Sequence, residues 1–506
     1  MANLPWRVSV RLMALAKKLA IVVGIVLIVL LSVRVYLSQQ GPALHSWHTW
    51  RADEMSMREM DNASFAQYLT RENAIFSDLD SEVTAKATAE ERTPLNRYYR
   101  QSLVWPGQFS PDANRSFVLK PDGKPRGAVV LLHGLTDSPY SVRHLALHYQ
   151  TRGFVAVVPR LPGHGTAPGA LTDVDWEAWL AATRLAVREA TRLAGNDVPL
   201  HLVGYSNGGA LAMKYALDSL DAPELRKPQQ IVLLSPMIGV TAFARFAGFA
   251  GLPAMLPAFA KAAWLNVSPE YNPYKYNSFP VNAARQSWLL TQALHEQIGR
   301  AAREHRLAQL PPVLAFQSIM DSTVSTRAVV TGLFDQLPAN GSELVVIDIN
   351  QAGSFRPLFK PASWAALADL LPEAQRRYSV TIITNASADS YQTVAKTTPA
   401  GSTRETAIPL PVTYPREVYS LSHVAIPFPP DDDLYGRQPA IKNHYGISLG
   451  TIALRGGDLG AERRQRCADA RDVKPVLRLY AGAYRQPYRG LVVPARNRLG
   501  HAVELC

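Results

Sequence analysis

Residues 199–220, PLHLVGYSNGGALAMKYALDSL, leave the chain little choice of local structure. The apolar run Leu200–Val203 meets Gly204, a single serine, and then Gly208 and Gly209, after which apolar residues recur at helical spacing. A strand must therefore reverse into a helix within a few atoms around Ser206. Such a junction belongs at the carboxyl end of a parallel sheet. The surrounding sequence repeats the theme. The apolar runs AVVLLHG, FVAVVP, IVLLSP, VLAFQS and LVVIDI read as buried strands. Helical segments such as 175–193, with Asp175 as its cap, separate them. Strands alternating with helices predict an α/β protein with a doubly wound, mostly parallel sheet.

Two blocks interrupt the alternation. Residues 240–311 stand between IVLLSP and PPVLAF and carry nine aromatics between Phe243 and Phe279. Residues 351–415 form a second insertion. It either loops out and lets the chain return, or contributes a strand at 376–384, RRYSVTIIT. The tail, 446–506, is basic and reads as short strands.

The start of the chain carries a different signal. LAIVVGIVLIVLLSVRVYL, residues 19–37, holds one charge, Arg34, close enough to the end of the run to snorkel. Nineteen residues at helical rise just span a hydrocarbon core. Arg7, Arg11, Lys17 and Lys18 precede the run, which predicts a cytoplasmic N-terminus and everything after the span outside the cytoplasm. For a bacterial source that is the periplasmic side of the inner membrane. A cleaved signal peptide wants a shorter apolar core and a small-x-small site, and SQQGPALHSW supplies a poor one at Ala43. Residues 53–71 follow as an amphipathic helix.

The net charge of +12 suggests a nucleic-acid binder until it is located. Residues 1–36 hold +5 and residues 437–506 hold +8, so the body is close to neutral. That distribution fits contact with anionic lipid and excludes a basic groove. The two cysteines, Cys467 and Cys506, both lie in the last forty residues. A disulfide pinning the tail and two free thiols are equally open readings.

GYSNG is a G-x-S-x-G elbow, which sets the Ser206 hydroxyl free at a helix N-terminus. A serine needs a base to take its proton. On such a sheet the acid and then the histidine follow the serine in the chain. Asp321 closes the strand PVLAFQSIMD, the place for an acid that orients an imidazole, with Asp348 as runner-up. Of twelve histidines, His423 alone follows a β-rich run into a serine-rich turn late in the chain. The backbone N–H groups of Leu135 and Asn207 are the expected oxyanion donors. Asp137 reads as a helix cap, and Asp431–Asp433 as a solvated turn. No phosphate-binding loop or metal-ligand cluster is evident, so no cofactor is expected.

LLHGLTDSPYS, PRLPGHGTAPGAL with its following tryptophans, GYSNGG, PVLAFQSIMDSTV and SLSH together resemble the serine α/β-hydrolases. The resemblance is nearest to the bacterial carboxylesterase and monoacylglycerol-lipase group, which shares motifs with serine aminopeptidase-like hydrolases. It covers about residues 115–350 and resumes near 416–430. It implies Ser206 as nucleophile, Asp321 as acid and His423 as base. It also implies that 240–311 is a lid over an acyl pocket. The sequence departs from the group in its apolar N-terminus, its 351–415 insertion, its tail, and the prolines after His423 that forbid an immediate helix.

The expected organisation is a cytoplasmic stretch 1–18, a transmembrane anchor 19–37 and a juxtamembrane helical segment 38–114. A hydrolase core 115–239 and 312–445, the lid 240–311 and the basic extension 446–506 complete it. The resemblance implies a membrane-anchored serine hydrolase of lipid-like carboxylic esters, without nucleic acid. Acyl transfer or peptide hydrolysis by the same constellation is the first alternative. A scaffold on a retired hydrolase fold is the second.

Overall fold

A computed structural model describes residues 4–239, 250–353, 367–414, 416, 420–436, 438–441 and 444–449. Phe243, Phe246, Phe249, Cys467, Cys506 and the tail from residue 450 lie outside the described residues.

A ten-stranded sheet organises the molecule. Its strands, in chain order, are β1 (Phe117–Leu119), β2 (Gly127–Leu132), β3 (Phe154–Val158), β4 (Leu200–Tyr205) and β5 (Gln230–Leu234). After the short pair β6 (Trp264–Asn266) and β7 (Phe279–Pro280) come β8 (Val313–Ser318), β9 (Glu343–Ile347), β10 (Ser379–Asn385), β11 (Gln392–Thr398) and β12 (Thr406–Thr413). The spatial order is β1-β3-β2-β4-β5-β8-β9-β10-β11-β12. From β3 to β10 every pairing is parallel. The antiparallel pairings lie at the two edges. β1 does not pair with β2, the next strand in sequence, but reaches across to β3.

The central strands are apolar along their whole length because both faces are covered. Ala128, Val130 and Leu132 of β2 join one core with Leu200, Leu202 and the helix Asn207–Asp221. Val129 and Leu131 join the opposite core with Val203, Tyr205 and the aromatic residues Tyr140, Tyr149 and Tyr274. A one-residue slip of either strand would exchange the two sets.

The two interrupting blocks resolve differently. The 351–415 block does not loop out: β10 adds to the parallel sheet beside β9, and β11 and β12 extend it as an antiparallel hairpin. In the 240–311 block, Leu290, Leu294 and Ile298 of the helix Val281–Arg303 are buried in the main core. Residues 250–280 hold the β6–β7 pair, and their Tyr276 and Tyr274 are buried in the two opposite cores.

The N-terminal helix α1 (Leu4–Gln39) includes Met13–Gln39, 27 residues long and apolar enough to cross a membrane. The Arg34 guanidinium donates to the backbone carbonyls of Ala262 (3.2 Å) and Trp264 (2.5 Å).

Residues 53–84 strap the loop that follows β3. Arg160 is fully buried, and its guanidinium reaches Glu54 (2.7 and 2.9 Å) and Glu72 (3.1 Å). Glu54 also accepts the Gly163 N–H at 2.7 Å. Burial pushes the Glu72 carboxyl up against the opposing pull of Arg160. A buried charge set of this kind persists because each member satisfies another.

Candidate active site

β4 ends at Tyr205, and the next residue turns sharply. Ser206 has φ 55° and ψ −115°, a conformation that costs a non-glycine residue about 1–3 kcal/mol. Its surroundings fix it there. The Ser206 N–H donates to the Leu234 carbonyl (3.0 Å), and its own carbonyl accepts from Gly209 and Met237 (both 2.9 Å). The flanking glycines are required by close approach. A Cβ on Gly204 would collide with the backbone of Gly208, and one on Gly208 with the backbone of Leu132 and His133. Two strands and a helix can thus meet at the elbow only without side chains there. Ser206 is buried, 7% exposed, at the carboxyl edge of the sheet.

Asp321 lies just past β8, three residues beyond its end. Its Oδ1 accepts the N–H groups of Thr323 (2.8 Å) and Val324 (3.0 Å). Its Oδ2 accepts from the side-chain amide of Gln317 (3.2 Å) and lies 2.8 Å from the Nδ1 of His423. Burial alone would raise this carboxyl. The His423 imidazole and the backbone donors outweigh burial and hold it below the usual aspartate range. An ionised Asp321 acts as acceptor toward a protonated Nδ1. Nε2 is then the basic nitrogen of the ring.

His423 opens a single 3₁₀ turn, His423–Ala425, capped by the Ser422 hydroxyl. Two contacts place this turn at the sheet edge. The hydroxyls of Ser420 and Ser318 lie 3.1 Å apart, and the Tyr205 hydroxyl donates to the His423 carbonyl at 3.4 Å. The His423 ring centroid is 5.2 Å from that of Tyr205, the residue before the serine.

Asp348 makes no such contact. It is buried at the end of β9, accepting from Ile349 N–H (2.8 Å) and the Thr384 hydroxyl (3.0 Å), and burial raises its carboxyl. Geometry therefore separates the two candidate acids.

The loop after β2 carries Leu135. His133 is fully buried; burial keeps its ring neutral, far below the ordinary imidazole range. Its Nδ1 bonds the Gly134 carbonyl (2.9 Å) while Nε2 accepts the Leu161 N–H (3.0 Å). Thr136, at φ 62°, offers its carbonyl to the Tyr276 N–H at 2.8 Å, which ties the loop to the 250–280 segment. Gly134 packs directly on Ser206, since a Cβ there would lie 3.3 Å from the serine Cβ. Asn207 opens the helix after the serine and is fully buried. Asp137 is buried and accepts the N–H of Ser138, which precedes the 3₁₀ turn Pro139–Val142. Asp175 occupies the cap position of its helix, yet its carboxylate bonds the Gln286 side chain (2.9 Å) and not the helix end.

One expectation is overturned. Asp431–Asp433 is not a solvated turn, because Asp432 is buried and bound by Arg143 (2.6 Å), His144 (2.9 Å) and the N–H groups of Leu434 and Tyr435. Arg143 and His144 more than offset its burial and hold it far below the ordinary range. This cluster fastens the segment after His423 to the helix after the Leu135 loop. A run of three aspartates gives no local sign that its middle member is buried. The aromatics of 250–280 are also packing residues in large part: Trp264, Tyr274 and Tyr276 are buried, and Tyr274 stacks on Tyr140 with centroids 3.9 Å apart.

Residues 123–348 match the family model for serine aminopeptidases of the S33 type. A stretch of 89 residues is 34% identical to a thermostable monoacylglycerol lipase of Bacillus sp. (strain H-257). That stretch covers 17% of this chain and 34% of the lipase, so the chain spans about a third of that relative's length. Similar solved structures include one from a study of the metagenome-derived lipolytic enzymes LipS and LipT (20% identity, TM-score 0.38, 51% of this chain and 97% of the other). Another is the monoacylglycerol lipase of Paleococcus ferrophilus (19% identity, TM-score 0.34, 46% of this chain and 87% of the other). With its mostly parallel sheet and serine elbow, this chain is similar over residues 123–348 to the serine aminopeptidases of the S33 type.

Proposed function

We propose that the protein is a membrane-anchored serine hydrolase that cleaves lipid-like carboxylic esters through an acyl-enzyme. The observation that carries the reading is the 2.8 Å contact between Asp321 and His423, whose ring lies 5.2 Å from that of Tyr205, the residue before the strained serine. His423 Nε2 draws the proton from the Ser206 hydroxyl as its oxygen attacks the ester carbonyl carbon. The carbonyl oxygen takes up the electron pair and rests on the N–H groups of Leu135 and Asn207. Each such donor contributes on the order of 10²–10³ in rate. The C–O bond to the alcohol breaks, and the alcohol leaves with the proton from His423. Water, deprotonated by the same nitrogen, then attacks the Ser206 ester. The carboxylic acid departs and the serine regains its proton. Asp321 stays ionised throughout and stabilises the imidazolium.

The ester class is supported by the monoacylglycerol lipase that shares the 89-residue stretch. The membrane is supported by α1 and by the four basic residues before its apolar run, which favour a cytoplasmic N-terminus and a periplasmic catalytic domain. Peptide or amide hydrolysis is the second reading, favoured by the matching family's own description as serine aminopeptidases.

A substrate panel separates the two. Monoacylglycerols and p-nitrophenyl esters of increasing chain length are compared with aminoacyl p-nitroanilides on wild type and Ser206→Ala. Ester turnover that is lost in the variant supports the lipase reading. Turnover of the anilides alone would replace it with the peptidase reading.

A further inference from the structure

The 250–280 segment packs along the side of α1. The Gln39 side chain donates to the Ala258 carbonyl (3.2 Å), and Lys261 Nζ donates to the Gly41 carbonyl (2.9 Å). Arg34 binds the carbonyls of Ala262 and Trp264. Arg34 stands five residues before Gln39, the last residue of α1, and therefore about 7.5 Å back along the helix axis. The face of α1 formed by Leu31, Arg34, Val35 and Ser38 is partly or wholly covered, while the flanking residues Val33, Tyr36 and Leu37 are exposed. The turns Leu252–Met255 and Pro257–Ala263 supply that cover.

These turns are apolar on their outer side. Met255 is 81% exposed, Leu256 59%, Leu265 46% and Leu252 45%. No other described segment outside α1 gathers four large exposed apolar side chains within fourteen residues. Their place beside the exposed apolar surface of α1 makes one continuous patch.

We infer that the face carrying Leu252, Met255, Leu256 and Leu265 lies in the outer interface of the bilayer that α1 spans. The inference rests on the anchoring of α1 proposed above. Three features favour lipid as the occupant over a protein. The patch is continuous with the membrane helix. Its backbone is fixed to Arg34, a residue inside the apolar span, so it descends below the level at which α1 ends. Lys261 sits beside Gly41, just past the helix end, where a cation meets anionic headgroups. The segment is in turn bonded to the Leu135 loop through Tyr276 and Thr136. An ester in the same leaflet would thus meet the site without crossing water.

Depth-dependent quenching tests this on the full chain, with Cys467 and Cys506 replaced by serine. A cysteine introduced by Met255→Cys, Ile28→Cys or Leu147→Cys carries an environment-sensitive fluorophore. Each protein is placed in nanodiscs of phosphatidylethanolamine and phosphatidylglycerol, with or without a lipid bearing a nitroxide high on its acyl chain. Ile28 reports the span, and Leu147, exposed on the helix Arg143–Gln150, reports the aqueous face. The expected result is severalfold stronger quenching at Met255 than at Leu147, with blue-shifted emission. Quenching at Ile28 with none at Met255 would overturn the docking and leave the anchor standing. Blue-shifted emission at Met255 without quenching would mean that protein covers the patch, which also overturns it. Absence of quenching at both Ile28 and Met255 would remove the anchor together with the docking.

Discussion

His423 Nδ1 lies 2.8 Å from Asp321 Oδ2, although the two residues are 102 positions apart in the chain. The intervening residues build four further strands of the same sheet, β9 to β12, and the chain returns from them to the end of β8 through the Ser420–Ser318 contact. The pair therefore depends on β10, β11 and β12, which carry the chain out to the sheet edge and back.

Exchange of the acid should be selective. Asp321→Asn is expected to lower kcat by on the order of 10⁴, because the amide no longer holds the imidazole tautomer. Asp348→Asn, whose partners are Ile349 and Thr384, is expected to keep kcat near wild type. Steady-state ester hydrolysis of both variants, with circular dichroism as a folding control, checks the contrast. A dead Asp348→Asn beside an active Asp321→Asn would reverse the assignment.

The elbow should not tolerate a methyl group. Gly208→Ala is expected to cost roughly 3 kcal/mol or more, since its Cβ would meet backbone that cannot retreat. Urea denaturation would detect this as a lowered midpoint. An unchanged midpoint would mean that β2 and the helix after Ser206 can part more easily than their packing indicates.

Arg160 should be worth most as a partner. Arg160→Met leaves Glu54 and Glu72 buried without their cation, at a cost of about 3–5 kcal/mol. Adding Glu72→Gln should recover part of that loss. A double variant no better than the single one would show that the two side chains do not interact.

Asp432 should shape the acid limb of stability. Its carboxyl titrates well below an unfolded aspartate, so the stability it contributes is fully present above about pH 4. That contribution is lost as pH falls through the lower folded value. Asp432→Asn is therefore expected to be less stable at pH 7 by about 3–5 kcal/mol. The gap between the two proteins should narrow steadily below pH 4. Parallel melting temperatures across that range would contradict the ion-pair account.

The alternation of apolar runs and helices was legible because both faces of the central strands are buried. GYSNG was legible because close backbone approach leaves room only for glycine. Strand-end position and chain order pointed to Asp321 and His423, two side chains that the fold brings to 2.8 Å of each other. Less could be read where tertiary contacts override local pattern. Asp432 looks solvated among its neighbours, and the cations that accompany its burial, Arg143 and His144, lie nearly three hundred residues away in sequence. Leu290, Leu294 and Ile298 lie in a block whose aromatic start suggests a lid, although their helix belongs to the core. The carbonyls of Ala262 and Trp264 that Arg34 binds lie more than two hundred residues away in sequence, beyond the reach of any local pattern.

The most direct test of the central claim is covalent labelling by a fluorophosphonate, with the modified peptide mapped by mass spectrometry. The account predicts rapid stoichiometric labelling on Ser206, none in Ser206→Ala, and strongly slowed labelling in His423→Ala. A wild-type protein that stays unlabelled, or one labelled on a different serine, would contradict it.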